Sequence, residues 1–213
     1  MILLITSAHI EENYEVRKED YIKSIKSVLK FKNSFKRIII LECVSKDIEY
    51  LKLDKDIEIY YSKVKNFYKN KGLNEVYHTN TFLQSMDFND NEKFIKITGR
   101  YFIQNDTFIN FCENNSYDFI GKRSNDIYEN DSSRRAFHTF YMSFTRKLLN
   151  DFYNSFLPNP NPLFGERKGI ESYIYNYVVD NCNNYFIFKG KMGIMTNILM
   201  FWRKPPVIKK VLS

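Results

Sequence analysis

The chain has 213 residues, 44% hydrophobic and 27% charged, which excludes a disordered protein and leaves enough chain to bury a core unaided. Its formal net charge of +7 suits nucleotide phosphates, nucleic acid or an anionic surface, and does not separate them. Cys43, Cys112 and Cys182 are odd in number and lack CxxC spacing, and His9, His78 and His138 are scattered, so neither a disulfide framework nor a zinc centre is expected.

Met1–Ile5 is too short for the apolar core of a signal peptide, and no apolar run approaches the roughly 20 residues that span a bilayer. A reducing, cytoplasmic location follows as an expectation, with peripheral attachment to a membrane left open. The abundant Tyr and Phe accompany abundant Lys, Asn and Ile, a pattern of coding bias, and are not counted as evidence of base stacking.

In chain order, Ile2–Ile5 reads as a strand covered on both faces, ending at the small polar residues Thr6-Ser7-Ala8-His9. Tyr21, Ile22, Ile25, Val28 and Leu29 repeat at helical spacing, and Arg37–Leu41 forms a second buried strand that ends at Glu42-Cys43. Strand, helix, strand is the unit of a parallel sheet. Ile57–Tyr61 is a third strand, and a helical pattern starts at Glu75. Phe94–Ile97 is a further buried strand, running into Thr98-Gly99-Arg100 and then Tyr101-Phe102-Ile103. Beyond it come a short helix or turn at Phe108–Cys112, a strand at Tyr117–Ile120 and a loop over Gly121–Arg135. An aromatic strand at Phe137–Phe144 enters a helix reaching about Phe156. Pro158–Pro162 marks a turn, Gly169–Val178 a helix and Tyr185–Phe188 a late strand, before a basic tail from Arg203.

Several constellations could carry chemistry. Ligands of open α/β sheets sit outside the carboxyl ends of strands, which here offer Thr6–His9, Glu42 and Lys96–Tyr101. A glycine between two cations suits a phosphate-bearing ligand; a twisted strand with a glycine bulge and two solvated cations is the plainer alternative. Asn70-Lys71-Gly72-Leu73-Asn74-Glu75 offers a glycine turn before a helix, an anion site in which Asn74 could equally be a simple N-cap. Glu171, early in an amphipathic helix, could be a general base or could merely complement the helix dipole. Arg123, Arg134 and Arg135 in or beside the polar loop could contact phosphates or only keep it soluble.

Taken together, the opening strand Ile2–Ser7, Ile40-Leu41-Glu42-Cys43, the Asn70–Glu75 stretch, Lys96–Tyr101 and Gly169-Ile170-Glu171 resemble small nucleotide-sugar glycosyltransferases of the GT-A type. These are the kind that build bacterial surface polysaccharides and that large DNA viruses encode for capsid glycans. The resemblance implies a single α/β, Rossmann-like domain with a mostly parallel central sheet flanked by helices. Its nucleotide-binding half would run to about residue 106 and its acceptor half from 107 to 213. It implies nucleoside contacts at Thr6, Ser7 and Glu42, and pyrophosphate contacts at Lys71, Gly72 and Asn74. Thr98, Gly99 and Tyr101 would complete the donor site, with Glu171 as base in an inverting transfer.

Where that family keeps a DxD motif for a divalent metal, this chain reads Thr98-Gly99-Arg100, with Asn105 and Asp106 later. Two alternatives follow: metal-independent catalysis using Lys96 and Arg100, or manganese or magnesium held by a single carboxylate at Asp106. The partners implied are a nucleoside diphosphate sugar and a glycan or glycoconjugate acceptor, with no nucleic acid. The rivals are a basic protein that binds nucleic acid or transfers nucleotides, and a sugar-nucleotide-binding module without catalysis. No RNP, KH or helix-turn-helix signature supports the first rival.

Overall fold

The computed structural model describes residues 1–9, 14–123, 136–156, 161, 163 and 169–196. Most of the polar loop expected up to Arg135, with Arg134 and Arg135 themselves, lies outside the described residues. So do most of the Pro158–Pro162 turn and the basic tail from Arg203.

The elements run β1 (Ile2–Ser7), α1 (Tyr14–Leu29), β2 (Arg37–Glu42), β3 (Ile57–Tyr61), α2 (Lys71–Gln84), β4 (Lys93–Thr98) and β5 (Tyr101–Ile103). They continue with α3 (Thr107–Glu113), β6 (Phe119–Gly121), β7 (Tyr141–Thr145), α4 (Arg146–Phe156), α5 (Ile170–Asn181), β8 (Tyr185–Ile187) and β9 (Ile194–Thr196). The fold is α/β, with a mostly parallel, open seven-stranded sheet in the order β3-β2-β1-β4-β7-β6-β8 and a two-stranded sheet of β5 and β9.

The chain groups into two compact units assembled from separated segments. The first comprises Met1–Tyr61, Ile97–Asn115 and Gly190–Ser213; the second comprises Ser62–Lys96 and Ser116–Lys189.

In the first unit, β1 pairs in parallel with β2 and β2 with β3. Every residue of β1 is buried, as its uninterrupted apolar run requires. Helix α1 turns Tyr21, Ile25 and Val28 into the core. Its small polar residues do the fastening: Ser24 donates to the carbonyl of Tyr101 at 2.6 Å, and the Ile103 N–H donates to the Ser27 hydroxyl at 2.9 Å. These bonds occupy backbone groups of β5 that a two-stranded ribbon leaves open. Strand β9, antiparallel to β5, has no counterpart in the sequence reading. It is entered through Gly193, whose φ of 62° lies in the left-handed region and whose missing Cβ makes room for the Asn105 side chain.

In the second unit, β6 lies antiparallel to β7 and parallel to β8. Helix α2 begins four residues before the helix expected at Glu75. Asn70, not Asn74, is its N-cap, accepting from the Leu73 N–H at 3.1 Å. The strand expected over Phe137–Phe144 is narrower and later, at β7, and Phe137 makes only an isolated bridge to Arg123. The start of α4 is capped from the preceding turn, with the Arg146 N–H on the Glu92 carbonyl and the Lys147 N–H on the Asp90 carbonyl, both at 2.9 Å.

Gly193→Ala should lose about 1–2 kcal/mol from the left-handed backbone alone, and the loss should appear as a lower midpoint in urea unfolding followed by circular dichroism. An unchanged midpoint would mean that β9 contributes nothing to stability.

Candidate functional site

The parallel register sets Ser7 beside Glu42, so the carboxyl ends of β1 and β2 finish side by side. Glu42 is 0% exposed. Its Oε2 accepts from the Ser7 hydroxyl at 2.5 Å. Its Oε1 accepts from the backbone N–H groups of His9, Val44 and Ser45 at 2.9, 3.0 and 3.1 Å. One carboxylate thus folds the turns after both strands. Glu42 is thus no exposed loop residue, and both of its oxygens are taken up by the chain itself.

The same end is tightened from other elements of the first unit. The Tyr21 hydroxyl accepts from the Ala8 N–H at 2.8 Å, and Arg17 donates to the Ala8 carbonyl at 2.9 Å. His9 Nδ1 and the Tyr50 hydroxyl lie 2.9 Å apart, and the Ser45 hydroxyl donates to the His9 carbonyl at 3.2 Å. Tyr21 and Tyr50 have nearly parallel rings with centroids 6.4 Å apart. Thr6, Ser7 and His9 are all buried.

Thr98, Gly99, Arg100 and Tyr101 make the turn from β4 to β5. The Gly99 N–H donates to the Thr6 carbonyl at 2.8 Å. A Cβ on Gly99 would come within 2.5 Å of the Tyr21 ring, so this glycine is required by packing against α1 rather than by the approach of a ligand. Tyr101 is 9% exposed, and Thr98 and Arg100 are half-buried. Burial pushes the Asp20 carboxyl above the usual carboxylate range, and the Arg100 charge opposes that rise. Asp106 is exposed at the start of the seven-residue α3. Among the described residues no three His, Cys, Asp or Glu side chains converge to hold a metal ion. No such cluster of ligands surrounds Asp106.

The second unit holds the other expected site residues. Lys96 departs from its expected role as a cation open to a ligand. It is 4% exposed, its ammonium pairs with Glu75 at 2.8 Å, and it donates to the Thr139 carbonyl at 2.7 Å. A buried ammonium needs such compensation, and here the fold supplies it. The Thr139 hydroxyl in turn donates to Glu171 Oε1 at 3.3 Å. The Glu171 carboxylate curls back over Gly169, the N-cap of α5, where a Cβ would collide with it. That position complements the helix dipole.

Gly72 and Asn74 also answer to packing. A Cβ on Gly72 would come within 2.5 Å of Ile170. Asn74 is buried; its Oδ1 accepts from the N–H groups of Phe67 and Tyr68 at 3.0 and 2.8 Å, and its amide donates to the Tyr68 carbonyl. His78, one turn on, bridges Ser62 and Asn66 and holds the other end of the same connection. Lys71 is exposed on the first turn of α2. The partners that sequence reading missed are Tyr21, Tyr50, Ser45 and Thr139. Tyr21 carried a helical-spacing signal for burial, and none of the four carried a signal for its hydrogen bond.

No protein-family model matches the chain, and a comparison with curated proteins finds no match. Solved structures do share its shape. A nucleoside-diphosphate-sugar pyrophosphorylase from Vibrio cholerae superposes with a TM-score of 0.60 at 12% identity, over 92% of this chain and 95% of that one. The galactosyltransferase LgtC, in complex with donor and acceptor sugar analogues, gives 0.58 at 7% identity, over 88% and 73%. Mouse xyloside xylosyltransferase 1 gives 0.52 at 10% identity, over 88% and 85%. The fold is GT-A-like. At these identities the likeness is one of fold, and the carboxyl end of a GT-A-like sheet is where the Glu42 turns lie. Among the described residues, no helix of this GT-A-like chain is long and apolar enough to cross a membrane.

Glu42→Ala strands three backbone donors and the Ser7 hydroxyl in a buried place and should cost at least about 3 kcal/mol. Glu42→Gln keeps the shape and one acceptor oxygen and should cost about 1–3 kcal/mol. Urea unfolding of both variants checks the order, and equal stability of the three chains would remove Glu42 as the anchor of these turns.

Proposed function

We propose that this chain is a glycosyltransferase that moves a sugar from a nucleoside diphosphate sugar to a hydroxyl of a glycan or glycoconjugate, with inversion. The observation that supports this reading is the pair of turns locked by Glu42 at the carboxyl ends of adjacent parallel strands, where ligands of open α/β sheets sit. Thr6, Ser7 and Glu42 are buried in the turns they build. In this reading they shape the nucleoside crevice, and the backbone of Ala8 and Cys43–Ser45 forms its surface.

In the proposed reaction the acceptor oxygen attacks the anomeric carbon and gives up its proton to Glu171. The bond to the diphosphate breaks, and the nucleoside diphosphate leaves with the electron pair. Arg100, half-buried after β4, opposes the growing negative charge. Lys96 has no part in this version, because Glu75 already balances its charge.

Thermal-shift measurements of the full chain across nucleoside diphosphates and their sugars should raise the melting temperature for one nucleotide by mass action. Arg100→Ala should weaken that nucleotide by on the order of ten- to a hundredfold, the loss of one charge-assisted contact of about 1.5–3 kcal/mol. Unchanged calorimetric affinity in a folded variant would take Arg100 out of the site.

Glu171→Gln keeps the shape and cannot take the proton. As the base, it should lower kcat by about 10²–10⁴-fold with donor affinity nearly unchanged. A loss of only about 0.3–1 kcal/mol of stability with full turnover would leave Glu171 as a helix-dipole partner alone.

Nucleotidyl transfer is the second reading, supported by the pyrophosphorylase that shares this fold over 92% of the chain. Product analysis separates the two. Release of a nucleoside diphosphate from its sugar supports glycosyl transfer, and release of pyrophosphate from a nucleoside triphosphate with a sugar phosphate overturns it.

A further inference from the structure

Strands β6 and β8 run in parallel with Gly121 opposite Ile187, so the residues that follow them emerge together at one end of the second unit. Those residues are Lys122-Arg123 after β6 and Phe188-Lys189 after β8. The Phe188 N–H donates to the Gly121 carbonyl at 2.9 Å and fixes the two exits side by side. Between them lies a pocket of about 550 Å³, lined by Lys122, Arg123, Ile187, Phe188 and Lys189. That volume is in the range of small-ligand sites.

We propose that this pocket binds a phosphate-bearing ligand whose sugar or hydrocarbon part lies against Ile187 and Phe188. Of the five described residues that line it, three are cations and none is acidic. Among the described residues no carboxylate forms an ion pair with Arg123 or Lys189. Arg123 is held from two sides: its backbone bridges to Phe137, and its guanidinium carbon sits 6.0 Å from the centroid of the Tyr175 ring. A guanidinium fixed in this way offers a preset fork for phosphate oxygens. The Lys122 ammonium is pushed below the usual lysine range by burial.

The apolar wall of Ile187 and Phe188 lowers the local dielectric and strengthens each of these attractions. Three cations around one cavity match a phosphate dianion or pyrophosphate better than a single carboxylate. A nucleic acid would call for a basic stripe along the surface rather than three cations around one pocket. The inference does not depend on the transferase reading, because every residue it uses lies in the β6–β8 end of the second unit.

The test is calorimetric titration of the full chain, at low and high salt, with inorganic pyrophosphate. The variants are Arg123→Gln, Lys189→Gln, the two combined, and Lys30→Gln, an exposed lysine outside both candidate sites. Pyrophosphate should saturate the wild-type chain, and its Kd should rise about tenfold in each of the two pocket variants and further in the double variant. It should stay within about twofold in Lys30→Gln. Lys189 is exposed, so its variant tests the site even if Arg123→Gln is poorly folded.

Two further probes identify the source of the phosphate. Glucose 6-phosphate binding more tightly than dodecyl phosphate assigns a sugar phosphate, and the reverse order assigns a lipid-linked one. Absence of saturable pyrophosphate binding overturns the proposal. So do pocket variants that bind pyrophosphate as the wild type does.

Discussion

A buried carboxylate with every oxygen engaged is the constraint on which the candidate nucleotide end of this protein depends. An ionised group inside a protein costs several kcal/mol unless it is compensated. Among the described residues Glu42 accepts no hydrogen bond from a cationic side chain and is compensated by dipoles instead: three backbone N–H groups and a serine hydroxyl. Those donors come from two separate turns, residues 7–9 and 44–45. The cost of burying the charge can therefore be met only when both turns are closed around it. The turns are thereby specified together, and the parallel pairing of β1 with β2 is what brings them within reach.

The second unit solves a related problem with an ion pair. Lys96 extends from the middle of a buried strand, where an unpaired ammonium would not be tolerated. Glu75 and the Thr139 carbonyl receive it, and the Thr139 hydroxyl passes the polar string on to Glu171. Elsewhere in the chain, short polar side chains fasten backbone to backbone: Ser24 and Ser27 hold β5, while Asn74 and His78 hold the connection into α2. Such bonds contribute modestly when made and cost more when broken, so they select one arrangement more than they add net stability.

A GT-A-like sheet is compatible with several transfer chemistries, because a fold positions a site without naming its reaction. The local chemistry at the end of β4 is set by Thr98-Gly99-Arg100, where a half-buried cation follows a glycine packed against Tyr21. In the proposed activity that cation counters the charge on the leaving group.

The sequence by itself determined the strands and most helices, because a buried parallel strand needs a continuous apolar run and an amphipathic helix needs its 3.6-residue repeat. Ile2–Ile5, Arg37–Leu41, Ile57–Tyr61 and Phe94–Ile97 all lie in strands of the structure, with ends within a residue or two. The short β5 and β9, with three residues each and no periodicity of their own, escaped that reading. Site chemistry was legible only as residue types near strand ends. Whether a polar side chain faces a ligand or its own backbone depends on what lies opposite it after folding, and those partners are distant in sequence. Glu42 meets Ser7 and His9, Lys96 meets Thr139, and Gly99 meets Tyr21. Only the tertiary structure decided that Glu42 anchors turns, that Lys96 is neutralised, and that two basic exits from β6 and β8 enclose one pocket. In each case the deciding quantity is proximity across the fold, which spacing along a single chain does not encode.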